Sequence, residues 1–179
     1  ISLFMLANLY RTTGDYPKAM PLYERALSIQ EKALGPNHLD VASSLYNLAE
    51  LYRRAGDYEK AKPLFERVLS IREKALGADH PDVPMSLIDL ALLHQASGDY
   101  EKARPLYERA LNIREKALGP DHPDVAFCLG FLASLYETTA DSEKAKLLYE
   151  RALSIREKML GPDNLYVASS LYDLASLFF

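Results

Sequence analysis

The sequence holds no tryptophan and a single cysteine, Cys128. One cysteine excludes an intramolecular disulfide, which agrees with a reducing compartment, and a cytoplasmic location is the expectation. No apolar run approaches the length that spans a bilayer, and no signal peptide is visible. Neither sign of charge dominates: 21 Lys and Arg stand against 25 Asp and Glu, a net −4. Bulk electrostatics therefore offer no attraction to a nucleic-acid backbone or an anionic membrane, and neither is expected as a partner. A glycine-rich phosphate loop and zinc-type Cys/His spacing are also missing, so no cofactor and no metal is expected. No segment alternates in the manner of a strand, and no low-complexity linker divides the chain.

What the sequence has is a period. "IQEKALGPNHLDVA" begins at Ile29, "IREKALGADHPDVP" at Ile71, "IREKALGPDHPDVA" at Ile113 and "IREKMLGPDNLYVA" at Ile155, so the step is 42 residues each time. A strict period in the range of 20–50 residues means stacked supersecondary units. Each unit carries two helical patterns. Leu45, Leu48, Ala49 and Tyr52 fall on one face of a first helix, and Ala61, Leu64, Phe65, Val68, Leu69, Ile71 and Leu76 make a wider apolar face on a second. Between them lies "AGDY", in which Gly56 suits a left-handed helix end and Asp57 an N-cap. The pattern predicts first helices near 1–13, 40–55, 82–97, 124–139 and 166–179, and second helices near 16–34, 58–76, 100–118 and 142–160. A single array follows: a partial unit 1–37, units 38–79, 80–121 and 122–163, and a partial unit 164–179.

Asp121, His122 and Asp124 invite a chemical reading as a metal site or an acid/base cluster. The cluster returns as Asp79, His80 and Asp82 and as Asn37, His38 and Asp40, and becomes Asp163, Asn164 and Tyr166 in the fourth copy. A metal needs three or four converging ligands, whereas each unit supplies one histidine about a helix pair from the next. The structural reading is a joint. Pro81 and Pro123 suit the first helical position, the histidine before each is the N-cap, and Asp82 and Asp124 meet the positive end of the helix dipole. Cys128 stands where Ser44, Ser86 and Ser170 stand, a small residue for close packing rather than a nucleophile with a base in reach. No catalytic residue is expected, and the chain is read as no enzyme. Lys62/Glu66, Arg104/Glu108 and Lys146/Glu150 are opposite charges at i, i+4 on a solvated helix face.

The unit resembles the tetratricopeptide repeat. Leu45, Leu48, Ala49, Tyr52, Gly56, Tyr58, Ala61, Phe65 and Val68 occupy that family's signature positions. The other units match in the same way, except for His94 in the third and for Ala140 and Ser142 in the fourth. The usual repeat is about 34 residues; here the second helix runs on through "REKALG", which is similar to the kinesin-light-chain type. The resemblance implies an all-α fold, a right-handed α–α superhelix of antiparallel helix pairs. It also implies a protein-interaction scaffold whose first helices line a concave groove.

The second helices are nearly copies of one another, while the first helices diverge between their fixed Leu–x–x–Leu–Ala positions. By the resemblance that divergent side faces the groove. Its candidates are Phe4, Asn8 and Arg11 in the first unit, and Tyr46, Asn47, Glu50, Arg53 and Arg54 in the second. The third contributes Met85, Ile88, Asp89, Leu92 and Gln95. The fourth contributes Phe127, Phe131, Ser134 and Glu137, and the last Tyr172 and Asp173. Phe4, Tyr46, Ile88, Phe131 and Tyr172 are too apolar for a purely solvated face, and apolar patches rimmed by polar groups mark interaction sites. The partner expected is a protein or peptide ligand. Arg11, Arg53 and Arg54 give the groove a basic N-terminal end, and Asp89, Glu137 and Asp173 an acidic C-terminal end. The kinesin-light-chain type carries asparagines at paired groove positions; here Asn47 keeps one, and Asp89, Phe131 and Asp173 depart from it. Both chain ends fall inside a first helix, so the chain reads as a segment of a longer protein. The alternative role is then a spacer or self-assembly segment stacking through its end helices, Phe178 and Phe179 included, or a sensor array within a larger protein.

Two strains are also legible. Ala140 stands where the turn glycine belongs. Pro21, Pro63 and Pro105 sit inside second helices, where each removes a backbone hydrogen bond and is expected to bend the helix; Leu147 takes that place in the fourth unit.

Overall fold

The computed structural model describes residues 3–177, with side chains from residue 5 onward. Among the described residues there are nine α-helices and no strand. They fall into two compact bodies, 1–79 and 80–179, divided at the joint between two repeats.

The first body holds α1 (Leu3–Thr12), α2 (Tyr16–Leu34), α3 (Leu39–Arg54) and α4 (Tyr58–Leu76). The second holds α5 (Val83–Ala96), α6 (Tyr100–Leu118), α7 (Pro123–Thr138), α8 (Ser142–Leu160) and α9 (Leu165–Ser176). The second helices coincide with their predicted spans, and α3, α5 and α7 differ from theirs by one residue at each end; the outer ends of the predicted spans 1–13 and 166–179 lie outside the described residues.

The turn within each repeat is fixed by backbone geometry. Gly56 has φ +80°, its N–H donates to the Arg53 carbonyl (3.1 Å), and the Asp57 N–H donates to the Tyr52 carbonyl (2.9 Å). Two helix-end carbonyls are thereby satisfied by a left-handed residue. Asp57 then caps α4 by accepting from the Lys60 N–H (3.2 Å).

The joint between repeats is also a cap. The N–H of Asp40 donates to His38 Nδ1 (3.1 Å), and that of Asp124 to His122 Nδ1 (3.1 Å). Asn164 does the same with its side-chain oxygen for the Tyr166 N–H (2.9 Å). Each histidine thus spends one ring nitrogen on an orphan donor of the helix it precedes. At α5 the expected start moves. His80 Nδ1 still accepts from the Asp82 N–H (3.2 Å), but the helix begins at Val83 rather than at Pro81. Ala42 and Ala126 donate to the carbonyls of His38 and His122 at 3.2 and 3.4 Å. Pro84 stands in their place and has no N–H, so the first α-helical bond of this helix is lost.

Within each body, first and second helices pack pairwise in chain order. Ala49 and Ala61, Ala91 and Ala103, and Ala133 and Ala145 are fully buried, which lets the paired helices approach closely. Around them lie Leu45, Phe65, Ile71, Leu87, Tyr107, Leu129 and Tyr149, each 4% exposed or less. Fully burying such a side chain contributes about 1.5–3 kcal/mol, so this repeated apolar stack dominates stability. Cys128 is buried with it, and burial pushes its thiol up to about 11, so it stays a neutral packing group at physiological pH. His94 is buried too, with Nδ1 3.6 Å from Asp99.

Charges on the second helices tie successive repeats together instead of only facing water. Arg67 pairs with Glu31 (2.5 Å) and donates to the Pro36 carbonyl (2.8 Å); one body later Arg151 pairs with Glu115 (2.6 Å). Of the expected pairs, Lys146–Glu150 forms at 3.9 Å, whereas Arg104 turns back to Glu101.

Candidate functional site

In the first body, the variable side of α1 and α3 carries Asn8, Arg11, Tyr46, Asn47, Glu50, Arg53 and Arg54. The expected Phe4 lies outside the described side chains. Tyr46 is half-buried, its ring edge-on to Phe65 at 6.0 Å. The basic end read from the sequence is offset by one carboxylate and keeps a positive surplus. Glu50 accepts from Arg53 Nε and Nη2 (2.7 and 2.8 Å) and from Arg54 Nε (2.7 Å). Burial alone would raise the Glu50 pKa, but the two guanidinia outweigh it and hold the carboxyl below its ordinary value. Arg11 leans on Asn8 (3.3 Å), which also accepts from the Tyr23 hydroxyl (2.8 Å).

In the second body, six of the predicted residues come together. Leu92, Phe127, Phe131, Ser134, Glu137 and Asp173 line one open concavity of about 380 Å³, joined by Gly130, Tyr149, Arg156 and Ser176. Position 130 matters to its shape. Tyr46, Ile88 and Tyr172 occupy the same place in the other repeats, and a Cβ at Gly130 would meet only Arg156 Nη2, at 4.0 Å. Phe127 packs edge-on to Phe131 (4.8 Å), and Phe131 stacks on Tyr107 (6.0 Å).

A second, more apolar cavity of about 350 Å³ adjoins it, lined by Met85, Ile88, Pro123, Phe127, Cys128, Leu160 and Tyr166 with Arg114, Asp124 and Arg156. Ile88 is only 2% exposed, so most of it is core and one edge faces the cavity. Met85 and Phe127 are 40% and 41% exposed, and Tyr172 on α9 is 80% exposed and lines neither hollow.

Several polar candidates are engaged inside the protein. The Tyr107 hydroxyl donates to Gln95 (2.9 Å), and Gln95 donates to Thr138 (3.3 Å). One period on, the Tyr149 hydroxyl donates to Glu137 (3.0 Å), which also accepts from Ser176 (2.9 Å). Burial and that bond push the Tyr149 phenol well above its ordinary value. Asp173 is likewise raised by burial, against the opposing pull of Arg156.

Arg114 and Arg156 were not legible as site residues, because they belong to the charged second helices read as a solvated face. The one signal was at the joint: Asp124 becomes Tyr166 one period later. Arg114 keeps its partner, Asp124, at 3.2 Å. Arg156 Nη1 instead donates to Ser170 Oγ and, at 3.4 Å, to the Tyr166 carbonyl. Burial lowers its pKa, with partial compensation from Asp173 and Tyr166. Among the described residues no group of three or more His, Cys, Asp or Glu is placed to hold a metal ion.

The sequence model of the tetratricopeptide repeat family matches residues 1–74, 41–116 and 82–158. The chain is a tetratricopeptide-repeat protein. Solved structures of the same kind match over nearly all of it. The nearly identical TPR-like repeats of a Podosopora anserina protein assigned as a kinesin light chain superpose with a TM-score of 0.83 at 30% identity, covering 99% of this chain and 84% of that one. BtubC (BKLC) from P. vanneervenii gives 0.83 at 26% identity, covering 98% and 70%. The apo form of RapI shares the fold at 0.81 and 15% identity, over 98% of this chain and 46% of that one. No curated protein matches the sequence. Tetratricopeptide arrays are in general protein-interaction scaffolds, and the longer repeat of this one is of the kinesin-light-chain type. No helix among the described residues is long and apolar enough to cross a membrane.

Proposed function

We infer that this tetratricopeptide array is a non-catalytic, cytoplasmic interaction module that holds a segment of a protein partner on the variable faces of its first helices. The observation that carries this reading is the second body's surface. Met85 and Phe127 are large, apolar and two-fifths exposed, beside an open concavity whose polar rim is held in place by internal hydrogen bonds. Exposed apolar area with a fixed polar rim is what an interaction site offers. Glu50 offsets one of the two charges of Arg53 and Arg54, so the preference for acidic residues near α3 is reduced and stands beside apolar anchoring around Phe127 and Phe131. The test is partner capture followed by peptide-array mapping with the unsubstituted array and with Phe127→Ser and Met85→Ser. Capture reduced at least tenfold in both variants, with helicity intact, supports the reading; undiminished capture by both overturns it.

Self-association has an observation of its own. Leu171 on α9 is 49% exposed, although its counterparts Leu45, Leu87 and Leu129 are fully buried. Leu9 and Met5 on α1 are also more than half exposed. Light scattering separates the two roles: stacking predicts a mass that rises with concentration and falls in Leu171→Ser, whereas groove binding predicts a constant mass. Phe178 and Phe179, also expected to take part, lie outside the described residues.

A further inference from the structure

Residues 124 and 166 stand one period apart, and so do the arginines that reach them. Arg114, from α6, meets the Asp124 carboxylate at 3.2 Å. Arg156, from α8, meets Tyr166, which brings no carboxylate. Among the described residues Arg156 forms no ion pair, and its Nε and Nη2 donate to no protein atom; only Nη1 is engaged, by Ser170 and the Tyr166 carbonyl. A guanidinium has five donors and no acceptor, and one that is half-buried gains most from a carboxylate that takes two of them together.

The place where this guanidinium sits is already concave. The 350 Å³ cavity is walled by Met85, Ile88, Phe127 and Leu160, and its charged groups are Arg114, Arg156 and Asp124. Within the lining itself two guanidinia stand against one carboxylate, a formal surplus of one positive charge beside an apolar wall; the next carboxylate, Asp173, faces Arg156 from the adjoining concavity. A hollow of this size, apolar with a few convergent polar groups, suits a small ligand. The chemistry that answers both features is an apolar body ending in a single carboxylate.

We propose that this cavity binds a small arylalkyl or branched-alkyl monocarboxylate. Its carboxylate takes the donors of Arg156 that the protein leaves open, and its apolar body lies against Phe127, Met85 and Leu160. Such a ligand stands in for the carboxylate that Asp124 supplies one repeat earlier. A cation of the same shape is rejected by the surplus positive charge, and a neutral isostere forfeits the paired donors.

The probe is 3-phenylpropionate, titrated into the whole chain by calorimetry and followed by NMR at the Arg156 Nε–H and the Met85 methyl group. The expected result is saturable binding that moves both signals, with 3-phenylpropan-1-ol at least tenfold weaker and 2-phenylethylammonium not bound. Tyr166→Asp restores the pairing seen in the preceding repeat and should weaken the acid at least tenfold; the side chain is mostly exposed, so the fold tolerates the change. Arg156→Gln should do the same. Arg151→Gln removes the same charge from the same helix, but this arginine serves Glu115, so binding is unchanged. Equal binding of acid and alcohol, an unaffected Tyr166→Asp variant, or absence of saturable binding overturns the proposal. So does binding of an acidic peptide while the free acid fails. None of these measurements uses a partner protein, so their failure leaves the groove reading standing, and failed capture leaves this one standing.

Discussion

Ala140 is the single described non-glycine residue with positive φ, at +60°. It occupies the turn between α7 and α8 and makes the same two-bond helix end as the glycine of the other repeats: its N–H donates to the Glu137 carbonyl (3.0 Å), and the Asp141 N–H to that of Tyr136 (2.9 Å). A left-handed conformation costs an L-residue with a Cβ roughly 1–2 kcal/mol. Replacement by glycine removes that cost but returns roughly 0.4–1 kcal/mol of entropy to the unfolded chain. The balance is a gain of about 0.5–1 kcal/mol for Ala140→Gly, which in a chain of this size raises the melting temperature by about 1–4 °C. The reverse change lies in the same body. Gly98 has φ +80°, and a Cβ there would meet nothing within 4 Å, so Gly98→Ala isolates the backbone term and should cost a similar amount. The double variant should return close to the starting stability. Thermal unfolding of the four proteins, with hydrogen exchange of the Asp141 N–H, tests this directly. A lower melting temperature in Ala140→Gly, or no loss in Gly98→Ala, would refute the assignment of strain to this turn.

Two further outcomes are expected. His122→Ala should lose about 1 kcal/mol as the α7 cap is removed, while His122→Asn should be nearly neutral, because Asn164 caps α9 in the same way; urea unfolding decides, and equal loss in both variants would mean the histidine acts as more than a cap. Glu50 has a folded-state pKa below its ordinary 4.5, so the native state holds fewer protons than the unfolded chain, and its contribution is full above 4.5 and lost as the pH falls through the lower folded-state value. Glu50→Gln should therefore cost about 1 kcal/mol at pH 7 and far less at pH 3.5, and a difference that stays constant between the two pH values would remove Glu50 as the cause.

The helices and their ends were legible because they rest on neighbours in sequence. The 42-residue step, the apolar faces and the Gly–Asp turn concern contacts within a few residues, which local chemistry fixes. The start of α5 shows the limit of that reasoning: Pro81 looked like the first helical residue, but Pro84, three positions on, removed the bond that would have opened the helix there. The variable side chains of the first helices were found by comparing repeats, and the structure brings Leu92, Phe127, Phe131, Ser134, Glu137 and Asp173 to one concavity. Their state was not readable. The i, i+3 and i, i+4 spacing of Glu50 with Arg53 and Arg54 allows their pairing within α3, but whether Ile88 faces solvent or core, and whether Arg156 meets a carboxylate, depends on which side chains converge from other helices.

The sequence by itself determined the repeat, the all-α class, the helix caps other than that of α5, and the joint that first resembled a metal site. Tertiary structure decided the electrostatics between helices. It pairs Arg114 with Asp124, leaves Arg156 beside an apolar cavity, and buries Ile88 while exposing Phe127. Periodicity reports which face of a helix a residue occupies. A charge is satisfied by near neighbours on its own helix, as Arg53 and Arg54 are by Glu50, or by side chains distant in sequence, as Arg114 is by Asp124. Around Arg156 this chain changes the distant set at Tyr166, Ser170 and Asp173, where the preceding repeat has Asp124, Cys128 and Phe131, without disturbing the period.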